Sequence, residues 1–307
     1  MAEKRVFVVG SLNADHRVRV RGIPKPGETV LGSDVIVAAG GKGANQAVAA
    51  ARAGANAVLI GATGADRDGD LVRRTVAEEA VDARHVRVHA DTPTGRALIT
   101  VDINGENTIV VSPGANSSLA DGDIDAGLQA ATCGDLLLLQ LETPEPLVRH
   151  AARRATSAAC TVIMNAAPVP RSIQGLFDDV DILVVNQHEL AEIADLLRDS
   201  TNDAEGGDDM AVLAAASGAT VVCTAGDAGA FVTHDGAVEH IAAAAVDAVD
   251  TTAAGDTFIG YFAAELSAAE HSTIAAVQTA VAASAIAVTR SGAIDSIPYR
   301  HEVEGKP

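Results

Sequence analysis

Asp250-Thr251-Thr252-Ala253-Ala254-Gly255-Asp256-Thr257-Phe258 sets a carboxylate among small residues just where an apolar periodicity begins. Phe258, Ile259, Phe262 and Leu266 recur at helical spacing, so Ala253 to Asp256 are predicted to form a first helical turn. The N–H groups of such a turn have no partner inside the helix. With the helix dipole they stabilise an anion, and a carboxylate among them can take a proton from a hydroxyl. The chemistry that suits this arrangement is phosphoryl transfer, with Asp256 as general base and Ala253, Ala254 and Gly255 completing an anion hole. A Gly-Asp pair also opens many helices that do nothing catalytic, because Asp favours the first turn.

Other segments offer polar groups with two readings each. Gly40-Gly41-Lys42-Gly43-Ala44-Asn45-Gln46 lacks the earlier glycine and the Lys-Ser/Thr ending of a Walker A loop, so alone it reads as a glycine-rich helix entry. Asn13 and Asp15 flank Ala14 on one face of an extended segment and could grip one polyol, or mark a turn. Asn186-x-x-Glu189 makes an acceptable capping box. Thr224-Ala225-Gly226-Asp227-Ala228-Gly229 follows an apolar run and reads as a turn. The nine histidines show no His-Glu-x-x-His spacing, which argues against catalytic zinc.

The elements that must position these groups follow an α/β alternation. Strands are predicted at Val6 to Val9, Ala57 to Ile60, Leu136 to Leu141, Thr161 to Asn165, Ile182 to Asn186 and Thr220 to Thr224, with helical stretches between them, including Gln46 to Arg52. Such alternation implies a mainly parallel sheet covered by helices on both faces, with ligands at the strands' C-terminal ends. That rule selects Asn13, Glu142, Asn165, Asn186 and Thr224. Residues 15–37 and 94–111 break the pattern with strand-like pieces, among them Arg96 to Asp102 and Thr108 to Val111 joined across Asn104-Gly105, and are predicted to pair into a separate small β-sheet. The α/β core then comprises 1–14, 38–93 and 112–307. Asp199 to Asp209, acidic and glycine-containing, reads as a mobile surface loop.

Composition narrows the partners. A formal charge of -19 with only four lysines argues against nucleic acid and anionic membranes, which need clustered positive charge. The acidic, lysine-poor chain looks adapted to a salty cytoplasm, a halophilic trait. Cys133, Cys160 and Cys223 lie in or beside apolar runs without Cys-x-x-Cys pairing and are expected as buried reduced thiols. After Met-Ala-Glu-Lys-Arg a run of only four apolar residues leads to Gly10, too short for a signal-peptide core, and no run reaches membrane-spanning length, so a soluble cytoplasmic protein is expected.

The Gly10-Ser11-Leu12-Asn13-Ala14-Asp15, Gly40 to Gln46 and Asp250 to Phe258 segments together resemble the ribokinase family of sugar kinases. Pro26-Gly27-Glu28-Thr29, Gln140-Leu141-Glu142-Thr143-Pro144, Asn186-Gln187-His188-Glu189 and Val288-Thr289-Arg290-Ser291-Gly292-Ala293 keep that family's order and approximate spacing to about residue 300. The resemblance implies ATP-dependent phosphorylation of the 5-hydroxyl of D-ribose. It implies that Asn13, Asp15, Gly41, Lys42, Asn45 and Glu142 hold the sugar beside Asp256, and that Asn186, Gly255 and the Thr224-Ala225-Gly226-Asp227-Ala228-Gly229 loop hold ATP. It further implies that Glu189 reaches Mg²⁺ through water, and that Asp250, Thr252, Ala287, Arg290, Gly292 and Ser296 bind a monovalent cation such as K⁺. The small sheet of 15–37 and 94–111 is implied to form a β lid over the sugar and to clasp a second subunit's lid in a homodimer.

Two departures from the family pattern leave the substrate open at this stage. Arg17 and Arg96 stand where apolar lid residues are expected. If both converge on the sugar they would pair with a phosphate already on carbon 1, giving a ribose-1-phosphate kinase. A nucleoside kinase would want an aromatic lid to stack on a base, and only 2% of residues are aromatic. A non-catalytic sugar-binding regulator could share the fold, although the intact Gly255-Asp256 pair speaks for an enzyme.

Overall fold

Short runs of branched apolar residues bounded by turn formers become strands, and the stretches between them, rich in alanine and leucine, become helices. The computed structural model describes residues 4–201, 208–268 and 272–305. In chain order the strands are β1 (Arg5–Val9), β2 (Asn13–Arg19), β3 (Ile36–Gly40), β4 (Asn56–Gly64), β5 (Asp82–His89), β6 (Gly95–Val101), β7 (Asn107–Ser112), β8 (Leu136–Leu139), β9 (Thr161–Asn165), β10 (Ile182–Asn186), β11 (Thr220–Thr224), β12 (Ala230–His234) and β13 (Ala237–Ile241). The helices are α1 (Lys42–Arg52), α2 (Arg67–Glu78), α3 (Asp121–Gly127), α4 (Glu145–Ser157), α5 (Gln187–Thr201), α6 (Asp209–Ser217), α7 (Ala254–Ser267), α8 (Thr273–Ala287) and α9 (Arg300–Glu304).

Nine strands form one sheet in the order β13-β12-β11-β10-β9-β8-β1-β4-β5, parallel throughout except for the antiparallel β12 and β13 at one edge. Strand alternation sends Val6 and Val8 into a core layer with residues of α1, α7 and α8, while Phe7 and Val9 enter a second layer with residues of α4, α5 and α6. Because both faces are covered, the strands read as continuous apolar runs. Leu136, Leu137, Leu138 and Leu139 are each no more than 2% exposed. Burying four such side chains contributes about 1.5–3 kcal/mol apiece before chain entropy is subtracted.

The lid is a second sheet, β3-β2-β6-β7, in which β2 and β6 run parallel and each carries an antiparallel partner. Gly105, at φ 86°, turns the β6–β7 hairpin as Asn104-Gly105 predicts. Within the first lid region only 15–19 and 36–37 pair as strands, and β2 and β3 extend beyond its predicted bounds to Asn13 and Gly40.

Several expectations are corrected. β4 runs on to Gly64, β8 stops at Leu139, and β5, β12 and β13 were not anticipated: β5 reads as a polar edge, and β12–β13 form a hairpin across Asp235-Gly236. The loop expected over Asp199 to Asp209 is helical at both ends, since α5 reaches Thr201 and α6 starts at Asp209, and residues 202–207 lie outside the described residues. Cys160 and Cys223 are buried, free and pushed up to about 11 by burial, but Cys133 is exposed, because the loop before β8 leaves it at the surface. No helix among the described residues is long and apolar enough to cross a membrane.

Candidate active site

The C-terminal ends of β11, β10, β9, β8 and β1 lie side by side and present Thr224, Asn186, Asn165, Gln140 and Gly10 in that order. The N-termini of α7 and α1 face this row. Gly41 can enter α1 at φ 94°, a conformation that side chains rarely adopt, and Gly43 brings the helix against Gly10: a Cβ on Gly43 would stand 2.6 Å from the Gly10 carbonyl carbon.

Asp256 lies in the first turn of α7 and is 7% exposed. Asn45 Nδ2 donates to its Oδ2 at 2.8 Å, and Gln46 Nε2 donates to its Oδ1 at 2.9 Å. The helix starts one residue later than predicted, because Ala253 is the N-cap in a left-handed conformation, φ 58°. The Ala254 N–H turns back to the Thr251 carbonyl at 3.2 Å, so the outward donors without a backbone partner include Gly255 and Asp256 but not Ala254.

Three cavities adjoin here, all touching Thr251. The central one, about 220 Å³, is lined by Lys42, Asn165, Asn186, Glu189, Gly255 and Asp256. Burial opposes the charge of Lys42, but Asp256, Glu142 and Glu189 outweigh it and hold the ammonium above its ordinary range. Burial raises Glu189, with Asp256 adding to the shift. The capping box forms in full, Glu189 N–H to Asn186 Oδ1 at 2.8 Å and Asn186 N–H to Glu189 Oε2 at 2.9 Å, which leaves Glu189 Oε1 without a protein donor among the described residues.

A second cavity, about 510 Å³, opens beside Gly255 between Thr224, Gly226, Asp227 and Gly229 on one side and Ala243 to Val246, Phe258 and Val281 on the other. The loop after β11 is thus a wall, with Gly226–Ala228 in a short 3-10 turn. The third, about 540 Å³, lies under the lid, lined by Asp15, Arg17, Ile36, Ile99, Ile109 and Asp250 among others. Burial, reinforced by Glu142 and Asp256, pushes Asp15 up to about 7 against the opposing pull of Arg17. Glu142 accepts the Ser11 hydroxyl at 2.5 Å and faces the Lys42 N–H at 3.5 Å. Asn13, 2% exposed, accepts from Asn116 Nδ2 at 2.8 Å, which leaves its own amide nitrogen free to donate.

The two unexpected arginines part company. β2 residue Ala14 pairs with Arg96, so Arg96 shares the outer face of the lid with His16, opposite to Asp15 and Arg17. There Arg96 Nε donates to Asp68 Oδ2 at 2.6 Å. Convergence of Arg17 and Arg96 on one phosphate is therefore overturned. Arg17 instead reaches Asp250 Oδ2 at 3.3 Å and ties the lid to the loop that leads into α7. Asp250 also accepts the Thr252 and Gly292 N–H groups at 2.9 and 3.0 Å. Burial works against its charge, but these hydrogen bonds and Arg17 outweigh it and hold the carboxyl below the usual range.

Around Asp250 the carbonyls of Thr252, Arg290 and Gly292 accept no hydrogen bond from the described residues, whereas Ala287 O takes the Arg290 N–H at 3.0 Å and the Ser296 hydroxyl donates to Ala293 O at 2.8 Å. The Arg290 side chain pairs with Glu302 at 2.6 Å. The described residues hold no cluster of three or more His, Cys, Asp or Glu suited to a metal.

Ser11, Gln46, Asn116 and Gln140 were missed as site residues. Gln46 closes the Gly40 to Gln46 segment one step beyond Asn45, and Gln140 lies one residue past β8, so both carry a positional signal. Asn116 carries none.

Comparison with known proteins fits this geometry. The profile of the pfkB family carbohydrate kinases matches residues 3–300. A ribokinase from Haemophilus influenzae is 40% identical over 305 residues, covering 97% of each chain. The crystal structure of a ribokinase from Thermotoga maritima superposes with a TM-score of 0.87 at 34% identity, covering 98% of each chain. The ribokinase of Arabidopsis thaliana complexed with ribose and ATP superposes with a TM-score of 0.85 at 29% identity, again over 98% of each chain.

Proposed function

This chain belongs to the pfkB family of carbohydrate kinases, and from that premise we propose that it transfers the γ-phosphoryl group of ATP to the 5-hydroxyl of D-ribose, giving ribose 5-phosphate. The observation that carries the reading is Asp256, a carboxylate that lines the central cavity with Gly255 beside it, where that cavity meets the lid-covered and loop-walled ones at Thr251. Ribose lies under the lid, where Asn13, Asp15, Asn45, Glu142 and the Gly41–Lys42 turn meet its hydroxyls. ATP occupies the second cavity, its phosphates directed at Gly255, Asn186 and Lys42. Asp256 takes the hydroxyl proton, and the Gly255 and Asp256 N–H groups receive the migrating charge. Purified protein with ATP and a panel of pentoses, ribose 1-phosphate and nucleosides tests this: ribose should be consumed fastest, with product phosphorus on carbon 5, and preference for ribose 1-phosphate or a nucleoside would overturn it.

Asp15 makes ribose capture sensitive to pH. Burial pushes its carboxyl up to about 7, and only the ionised form accepts hydroxyl donors from both sides. kcat/KM for ribose should fall as pH drops below about 7, whereas kcat should fall less, because bound hydroxyls favour the ionised form. A pH-independent kcat/KM between 6 and 8 would remove Asp15 from the sugar site.

Mg²⁺ fits beside Glu189, whose Oε1 has no protein donor, and when bound it would neutralise phosphate charge while keeping most of its waters. A monovalent cation fits the free carbonyls of Thr252, Arg290 and Gly292 next to Asp250, and would stiffen the loop before α7. Turnover should rise several-fold when K⁺ replaces a bulky organic cation at matched ionic strength. Equal rates would exclude the site.

The outer face of the lid suits a second copy of this chain, since Val37, Leu98 and Val110 are 40%, 51% and 64% exposed in one stripe. Leu98→Glu should convert a dimer into a monomer by light scattering, and an unchanged mass would place any interface elsewhere.

A further inference from the structure

We infer that Gln46, locked in one orientation by Gln140, positions Asp256 for proton transfer; the inference rests on Asp256 being the base, as proposed above. Neither glutamine lines the three cavities, and both are fully buried. A carboxamide has a donor end and an acceptor end, and only the donor end can serve an ionised carboxylate. Gln140 Nε2 donates to Gln46 Oε1 at 2.7 Å, which turns Gln46 Nε2 toward Asp256 Oδ1 at 2.9 Å, with Asn165 Oδ1 at 3.4 Å beside the same nitrogen. Donation therefore runs one way, from Gln140 through Gln46 to Asp256.

Where the relay leaves atoms unpaired tells what sets its direction. Gln140 Oε1 is buried without a partner, and so is Asn45 Oδ1, whose own Nδ2 donates to Asp256 Oδ2 at 2.8 Å. Each chain of amides turns a nitrogen to Asp256 and strands an oxygen at its far end. Local satisfaction would not choose that pattern, since a buried lone carbonyl is costly. A negative charge at Asp256 would choose it. The two donors fix the carboxylate at both oxygens, and the lone pairs left over face the cavity and the hydroxyl to be deprotonated. Gly10 makes room for the far amide: a Cβ there would stand 1.9 Å from Gln140 Oε1.

The test uses Gln46→Met and Gln140→Met, which keep volume and remove the donors. Gln46→Met should lower kcat at least about 10-fold with ribose KM nearly unchanged, since misaimed reacting groups cost rate rather than binding. The acid limb of the kcat–pH profile should move up, because donation to the ionised form is lost. Gln140→Met, which does not touch Asp256, should show the same two changes in weaker form. An unchanged kcat and acid limb in both variants overturns the inference, as does a fall in kcat matched by a proportional rise in KM with no movement of the limb. If a methionine variant does not melt cooperatively, the near-isosteric Gln140→Glu decides. Its neutral acid can donate to Gln46 where its carboxylate cannot, so kcat should fall as that group ionises with rising pH. A wild-type profile then rejects the relay. Absence of ribose phosphorylation by the wild-type protein would instead reject the underlying reading.

Discussion

Asp256→Asn turns ribose over about 10²- to 10⁴-fold more slowly, as expected for removing a general base, while ribose still binds. Asparagine keeps the size of the side chain in a site that is only 7% exposed, so packing in the first turn of α7 is preserved. What changes is chemistry. The substituted amide carries no negative charge and cannot accept the hydroxyl proton, and one of its ends presents N–H groups to the Asn45 or Gln46 donor now met by the carboxylate. The cost of that mismatch falls on stability and is modest, about 1–3 kcal/mol. The contacts to sugar proposed at Asn13, Asp15 and Glu142 remain in place, and loss of the Asp256 charge makes Asp15 easier to ionise. Turnover by a coupled assay and ribose affinity by calorimetry separate the two effects. A variant that works at near wild-type rate means the proton leaves by another route, and the phosphotransfer site must then be sought elsewhere.

The site was legible where its signal was local. A Gly-Asp pair at the start of an apolar period marks Asp256, and the rule that ligands gather at strand C-termini selects Asn165, Asn186 and Thr224, which end β9, β10 and β11. Asn186 and Glu189 could be read as a box three residues long. What could not be read depends on pairing across distance. Asn116 bonds Leu12 and Asn13 from more than a hundred positions away, and nothing in its neighbourhood marks it. The faces of Arg17 and Arg96 illustrate the same limit: alternation fixes a face within one strand, but only the register Ala14 against Arg96 decides whether two strands present theirs together. Edge elements were also hidden, because β5 carries Arg and His at half of its positions and does not look like a strand that a core needs.

Gly43→Ala is the substitution through which packing should reach furthest into catalysis. Alanine inside a helix ordinarily stabilises by about 1 kcal/mol relative to glycine. Here the added methyl would meet backbone, 2.6 Å from the Gly10 carbonyl carbon and 2.7 Å from both Gly10 Cα and Ser11 N, and backbone does not rotate away. Either α1 withdraws or the turn after β1 deforms, at a cost of about 1–3 kcal/mol from overpacking. α1 carries Lys42, Asn45 and Gln46, so withdrawal drags both donors from Asp256, and a displacement of about 1 Å is enough to cost about 10²-fold in rate. Melting should drop by several degrees and kcat by one to two orders of magnitude, on the order of that 10²-fold penalty. Gly122→Ala is the matched control: it lies in α3, its added methyl meets nothing within 4 Å, and it should leave kcat where it is and melting unchanged or slightly higher, in line with the helix preference for alanine. Were Gly43→Ala as stable and as fast as the control, α1 would have slack against β1, and its glycines would owe their presence to the substrate's approach rather than to the helix's.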